Sequence, residues 1–144
     1  MELRFAVAVA VVATTGTLTL SAQHVKSQWD GVYTVEQARR GEQLYDKKCS
    51  SCHGTDLNGG LHAPALVGSA FTPNWDNMSL DDLFERMRTS MPEDDPGSLT
   101  RRQTADILAF MLQKGRYPEG TADLSTETEM LRTYKFLAAG PSGK

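Results

Sequence analysis

Apolar residues recur at helical spacing in three stretches of the chain. In the first, Val35, Ala38, Gly41, Leu44 and Tyr45 form one stripe, with Glu36, Arg39, Arg40 and Glu42 between them. T-V-E-Q at Thr34 reads as a capping box, so the pattern predicts ordered structure from Thr34 and a helix running toward Cys49. Gly41 costs such a helix about 1 kcal/mol relative to alanine. Its presence implies that another backbone or ring comes close there. A second helix is predicted from Ser79, with Leu80, Leu83, Phe84 and Met87 on one face, stopping before Pro92. A third begins at the T-R-R-Q box of Thr100 and ends at Gly115 and Pro118. Ala105, Ile107, Leu108, Phe110, Met111 and Leu112 are dense enough to bury most of it.

Between the first two helices, Ser51 to Asn77 is rich in Gly, Pro, Asn and Asp, which predicts one long loop. A loop of that length needs something to pack against. Residues 23–33 show no period and read as a leader. The tail holds a possible short helix around residues 126–136 before a flexible G-P-S-G-K end. Three helices around so long a loop make a thin core, and a large buried cofactor would supply the missing apolar mass.

The first residues, MELRFAVAVAVVATTGTLTLSAQ, carry a short charged start, an apolar run from Phe5 to about Val12, and a Thr/Gly-diluted end at Ser21-Ala22. This predicts a secretory signal peptide over residues 1–22, although Leu20 is larger than the residue preferred three positions before a cleavage bond. The alternative, an uncleaved anchor, has too short an apolar run to cross a bilayer, so no stable span is expected after cleavage. The predicted organisation is therefore 1–22 signal, 23–33 leader, 34–118 core domain and 119–144 C-terminal extension. The chain carries a net charge of −3, and losing residues 1–22 removes one acid and one base. With no basic stripe to neutralise phosphates, no nucleic-acid partner is expected.

Both cysteines lie in C-S-S-C-H, Cys49 to His53. Cys-x-x-Cys-His is the signature of covalent haem c attachment: two thiols at this spacing can add to the two vinyl groups of one porphyrin, and the adjacent imidazole then faces the iron. Three rivals are weaker. A thioredoxin-like pair needs a βαβ setting, and a zinc site needs a fourth ligand that His24 and His62 are not spaced to give. A tight Cys-x-x-Cys disulfide is strained. The second axial ligand is open among Met78, Met87, Met91, Met111, Met130, His62 and His24. Met91 stands where the second helix gives way to Pro92, which stiffens the backbone that would present a sulfur. The competing reading is that Met91 only extends the apolar stripe.

These residues resemble the class I c-type cytochromes over roughly Thr34 to Gly115. Gly41, Tyr45 and Cys49 are similar to that family's first helix, and Ile107 and Phe110 in ADILAFM to the last-helix pair it faces. The resemblance implies an all-α, cytochrome c-like fold, with three main helices and loops wrapped around one covalent haem c. Pro64 and Leu66 in APAL look like the loop whose proline carbonyl accepts the ring proton of the axial histidine. Met91 in SMPEDDPGSLT looks like the distal ligand. Cys49 and Cys52 would be the thioethers, His53 and Met91 the iron ligands, and Pro64 and Leu66 part of the haem pocket. A more specific similarity is to cytochromes that accompany pyrroloquinoline-quinone-dependent dehydrogenases.

The function implied is one-electron transfer rather than catalysis: a periplasmic carrier between a dehydrogenase or quinol-oxidising complex and a downstream cytochrome or terminal oxidase. The alternatives are a subunit stably bound to a quinoprotein dehydrogenase, a haem enzyme or gas sensor with an open distal site, and a non-haem module held by a disulfide. Trp75 could donate to a haem propionate or simply cover the pocket. The acidic P-E-D-D-P beside Met91 and the Lys47-Lys48 pair read first as solvated surface and second as partner-steering charge.

Overall fold

The computed structural model describes residues 24–140, so the expected signal segment and the last four residues lie outside the described residues. The elements are α1 (Val35–Lys48), α2 (Ser50–His53), α3 (Leu80–Ser90), α4 (Arg101–Lys114) and α5 (Thr128–Arg132), with single 3-10 turns at Gln28–Asp30 and Thr72–Asn74. Among the described residues there is no strand, only isolated bridges pairing Lys135 with Ser27 and with Ser79. The architecture of the described residues is all-α.

Local chemistry accounts for the boundaries. Ser79 and Thr100 form complete capping boxes: each hydroxyl accepts from the amide three residues on, while Asp82 and Gln103 return the bond. At Thr34 only half of the expected box is made. The hydroxyl accepts from the Gln37 amide at 3.1 Å, but the Gln37 side chain turns inward to bond both backbone groups of Leu124 in the extension. One feature of the loop also differs from expectation. Ser50–His53 forms a separate helical turn, started by the Cys52 and His53 amides bonding to Cys49 O.

α1 packs chiefly against α4. A Cβ on Gly41 would stand 1.8 Å from Asp106 O, so only glycine permits this approach. One turn later the Tyr45 and Phe110 rings meet with centroids 5.4 Å apart. The Arg40 guanidinium binds the buried Asp106 carboxylate at 3.1 Å and reaches Asp123 at 2.6 Å, tying the crossing to the extension. α4 is buried along most of its length, as its apolar density predicts, whereas Val35 at the start of the α1 stripe is half exposed.

Order begins before Thr34. Ser27, Gln28, Val32 and Tyr33 of the leader are buried, as are Leu124, Leu131 and Phe136 of the extension. The Tyr33 hydroxyl donates to Tyr117 O at 2.7 Å, and the Gly120 amide donates to Tyr33 O, also at 2.7 Å. The helix expected around 126–136 is shorter, ending where the Thr133 and Tyr134 amides bond back to Met130 and Leu131 and Lys135 turns to pair with the leader. Leader and extension thus thicken a core that three helices alone leave thin. Each fully buried Leu or Phe side chain contributes about 1.5–3 kcal/mol to that core.

Candidate functional site

A cavity of about 800 Å³ opens between the end of α1, the loop after α2, and α3 and α4. Its apolar lining comes from Leu66, Phe71, Leu83, Met87, Leu99, Ile107 and Met111, and its polar lining includes Lys47, Lys48, Asn74 and Arg86. That size and character suit a large, mostly apolar cofactor.

Cys49, Cys52 and His53 border the cavity together, because the α2 turn swings them off the end of α1. Both cysteines are free thiols. Burial pushes the Cys49 thiol up to about 11, an effect that Lys48 reduces and Cys52 adds to. The motif sits between two helical segments, with no strand beside it among the described residues, so the βαβ setting of a thioredoxin-like pair is lacking. Among the described residues no group of three His, Cys, Asp or Glu side chains stands ready for a metal ion, which leaves the zinc reading without a donor set.

The His53 ring is buried, and its Nδ1 lies 2.8 Å from Pro64 O. A carbonyl can only accept, so Nδ1 carries the proton and the Nε2 lone pair is free to bind a metal. Around it the loop is firmly held. The Tyr45 hydroxyl donates to Gly54 O at 2.6 Å, and the Leu66 amide donates to Leu57 O at 2.8 Å. Gly59 has φ +79°, and a Cβ there would stand 2.6 Å from Ala65 N. Only glycine lets the chain fold back and bring Pro64 over the imidazole.

Of the seven residues considered for a second axial position, four border the cavity: Met87, Met91, Met111 and the exposed His62. Met78 and Met130 are exposed outside it, and His24 pairs with Asp30 at 2.7 Å. Met87 and Met111 are buried on the inner faces of α3 and α4. Met91 is the C-cap of α3, in extended conformation with its amide on Met87 O at 2.9 Å, and the Met91–Pro92 peptide is cis.

Pro64, Leu66 and Trp75 also line the cavity, as do Lys47, Lys48, Glu93, Asp94 and Asp95. Two further lining residues, Asn74 and Arg86, escaped sequence reasoning. Arg86 follows Leu83 by three positions and precedes Met87 by one, so its helical phase was the available signal. It pairs with no carboxylate among the described residues, while Glu85 beside it is engaged by Arg88 and Arg101 at 2.9 and 2.5 Å.

The donor set fits haem c: two thiols three residues apart, an oriented imidazole, methionine thioethers within the same cavity, apolar walls and the cationic Lys47, Lys48 and Arg86 in the lining. Comparison with known proteins gives this fit a family. No curated protein matches the chain significantly. Among solved structures it is similar to the sulfane dehydrogenase SoxCD from Paracoccus pantotrophus, at 19% identity and TM-score 0.53, over 83% of this chain and 68% of that one. At that identity the likeness shows the fold alone. The family model described as cytochrome c oxidase, cbb3-type, subunit III matches residues 36–111, more than half of the chain. The chain belongs to this family of c-type cytochromes, whose domain binds haem c and transfers electrons.

Proposed function

We propose that this chain is a monohaem cytochrome c of the bacterial periplasm, carrying single electrons from a dehydrogenase to a downstream cytochrome or oxidase. The observation that carries this reading is that Cys49, Cys52, His53 and Met91 all border one apolar cavity, with the imidazole already oriented by Pro64 O. Haem c held there supplies an iron that gains and loses one electron.

The protein residues hold and tune it. Cys49 and Cys52 would hold the haem as thioethers. His53 would offer Nε2 to the iron, and its bond to Pro64 O raises the basicity of the ring. Met91 would be the second iron ligand, since it alone of the bordering methionines lies off the buried helical faces, and methionine with histidine favours a high potential. Leu66 and the other apolar residues exclude water. Arg86, Asn74 and Trp75 supply donors for the haem carboxylates. With both His53 and Met91 on the iron, no position would remain for a substrate, which is why this reading is of a carrier.

The donor is a separate dehydrogenase, of the pyrroloquinoline-quinone-dependent class by the sequence resemblance. A second reading, a cytochrome subunit bound to its dehydrogenase, draws on the structural neighbour, which is itself a dehydrogenase. No helix among the described residues is long and apolar enough to cross a membrane. Export rests on residues 1–22.

The test is an absorption spectrum of the protein matured with haem c, including the weak near-infrared band of sulfur-to-iron ligation. The band is expected in the wild type, retained in Met87→Ala and Met111→Ala, and lost in Met91→Ala. A high-spin ferric wild type that binds carbon monoxide readily would instead mark an open distal site.

A further inference from the structure

Phe136 lies one layer away from the cofactor cavity and is held more firmly than a surface tail requires. Residues 26–28, 135–137 and 77–80 run side by side. On the leader side the Lys135 amide bonds to Lys26 O at 2.8 Å and the Gln28 amide to Lys135 O at 3.3 Å. On the other side the Phe136 amide bonds to Met78 O and the Asn77 amide to Phe136 O, both at 2.7 Å. Gln28 then grips the next residue: its Nε2 donates to Leu137 O at 2.6 Å, and the Leu137 amide donates to its Oε1 at 2.9 Å. Gln28 is fully buried, so its amide has no water to turn to if this clamp opens.

The Phe136 ring meets Tyr117 edge-on at 5.6 Å and Phe71 edge-on at 6.0 Å. A small, partly open pocket of about 10 Å³ is lined by Phe136 and Tyr117 and, among others, by the four residues Leu66, Phe71, Leu83 and Met111. Those same four residues line the cofactor cavity. They are a wall one side chain thick, with the cofactor site in front and Phe136 behind. At about 10 Å³ and with a mainly apolar lining, the small pocket gives a water little room and few polar partners.

We infer that Phe136, set by the Gln28–Leu137 clamp, is a positioning residue for the cofactor cavity: the second layer that keeps its wall closed and dry and thereby raises the reduction potential. The inference rests on the haem reading above. Removing the ring lets wall side chains retreat or water enter behind them. More polar surroundings favour the more highly charged oxidised iron, so the potential falls.

The molecule carries its own control. Gln37 grips Leu124 in the same manner, donating to its carbonyl at 3.1 Å and accepting from its amide at 2.6 Å, and both are buried. Neither borders the cavity. Gln28→Met and Gln37→Met therefore each remove a two-bond clamp of the extension, one behind the cofactor wall, where the Trp29 indole still donates to Leu137 O at 3.0 Å, and one away from it.

The experiment is a spectroelectrochemical titration of the full-chain holoprotein. Phe136→Ala is expected to shift the oxidised-to-reduced equilibrium about tenfold toward the oxidised form, about 59 mV for one electron. Gln28→Met is expected to shift it about threefold in the same direction. Phe136→Leu should recover most of the wild-type value, and Gln37→Met should lower thermal stability without moving the potential. If Phe136→Ala does not accumulate as holoprotein, Gln28→Met and Phe136→Leu carry the comparison. An unchanged potential in Phe136→Ala, or in Gln28→Met where Phe136→Ala does not accumulate, or an equal shift in Gln37→Met, would overturn the inference. Absence of a Soret band in the matured wild type would instead sink the haem reading on which it rests.

Discussion

On the side of Cys49, Cys52 and His53, hydrogen bonds from distant parts of the loop converge on the site: Tyr45 to Gly54, Gly59 to His53, Gly60 to Ala63, Leu66 to Leu57, and His53 to Pro64. On the side of Met91 the bonds are short-range. Met91 is tied to Met87, Asp95 to Pro92 and Ser98 to Asp95, and residues 93–98 are exposed until Leu99 returns to the core. The fold alone presents the imidazole, with its tautomer and direction set. The sulfur of Met91 sits on a local turn of low independent stability, and a bond to iron is what would fix it. The two poles should therefore fail differently.

The largest effect belongs to the firm pole. Cys49→Ala together with Cys52→Ala is expected to abolish covalent haem, read as loss of haem stain on a denaturing gel, and to leave the 800 Å³ cavity without its filling. Stain persisting in the double variant would break the comparison at its root. Next comes the crossing that delivers α1 to the motif. Gly41→Val pushes side-chain atoms into Asp106 O and toward the Phe110 Cβ, and backbone must move to admit them. We expect a loss of about 3 kcal/mol in denaturant unfolding of the holoprotein. An unaffected midpoint would show that the crossing yields more easily than its geometry implies.

These two changes touch what the sequence showed most directly. The caps at Thr34, Ser79 and Thr100, and the stripes behind them, act through neighbours three and four residues apart, so helices α1, α3 and α4 could be read locally. C-S-S-C-H is contiguous and carries its chemistry in its spacing. Arg86 and Asn74 were not legible, because their place at the cavity depends on how the long loop wraps. Nor was the order of the leader and extension, whose seats are made by Gln28 and Gln37. A buried glutamine that mimics a backbone partner leaves no hydrophobic period to find. The half-made box at Thr34 is the same lesson: Gln37 satisfied the capping pattern, and a long-range bond to Leu124 took its side chain instead.

A smaller change sharpens the contrast within the firm pole. Tyr45→Phe keeps the ring against Phe110 but removes the hydroxyl bond to Gly54 O. Leaving that carbonyl short of a partner costs about 1 kcal/mol in thermal or denaturant unfolding. The near-infrared band of the distal ligand should be untouched. A variant that lost the band while keeping its stability would mean the two poles are coupled through Gly54.

Acid separates the poles most gently. α3 carries Met91 at its end, and two of its carboxyls are held below their usual range. Asp82 is lowered first by its side-chain bond to the Ser79 hydroxyl and then by the Ser79 amide, and Glu85 chiefly by Arg88, with Arg101 adding to it. Because their folded values are depressed, the stability they contribute is fully present above the unfolded carboxylate range, near pH 4. It is lost as pH falls through the depressed values. Asp82 is exposed and Glu85 half-buried, so solvent screens both and the effect is modest. Titrating the ferric holoprotein downward from pH 5 should therefore weaken the near-infrared band as the cap of α3 protonates, while covalent haem and the Soret band persist. Asp82→Asn, which keeps the shape but gives up the charge, should flatten that acid dependence and lower stability slightly at pH 7. If the band instead fades only with global unfolding, α3 and the Met91 turn are held as firmly as the histidine side, and the asymmetry of the two poles fails.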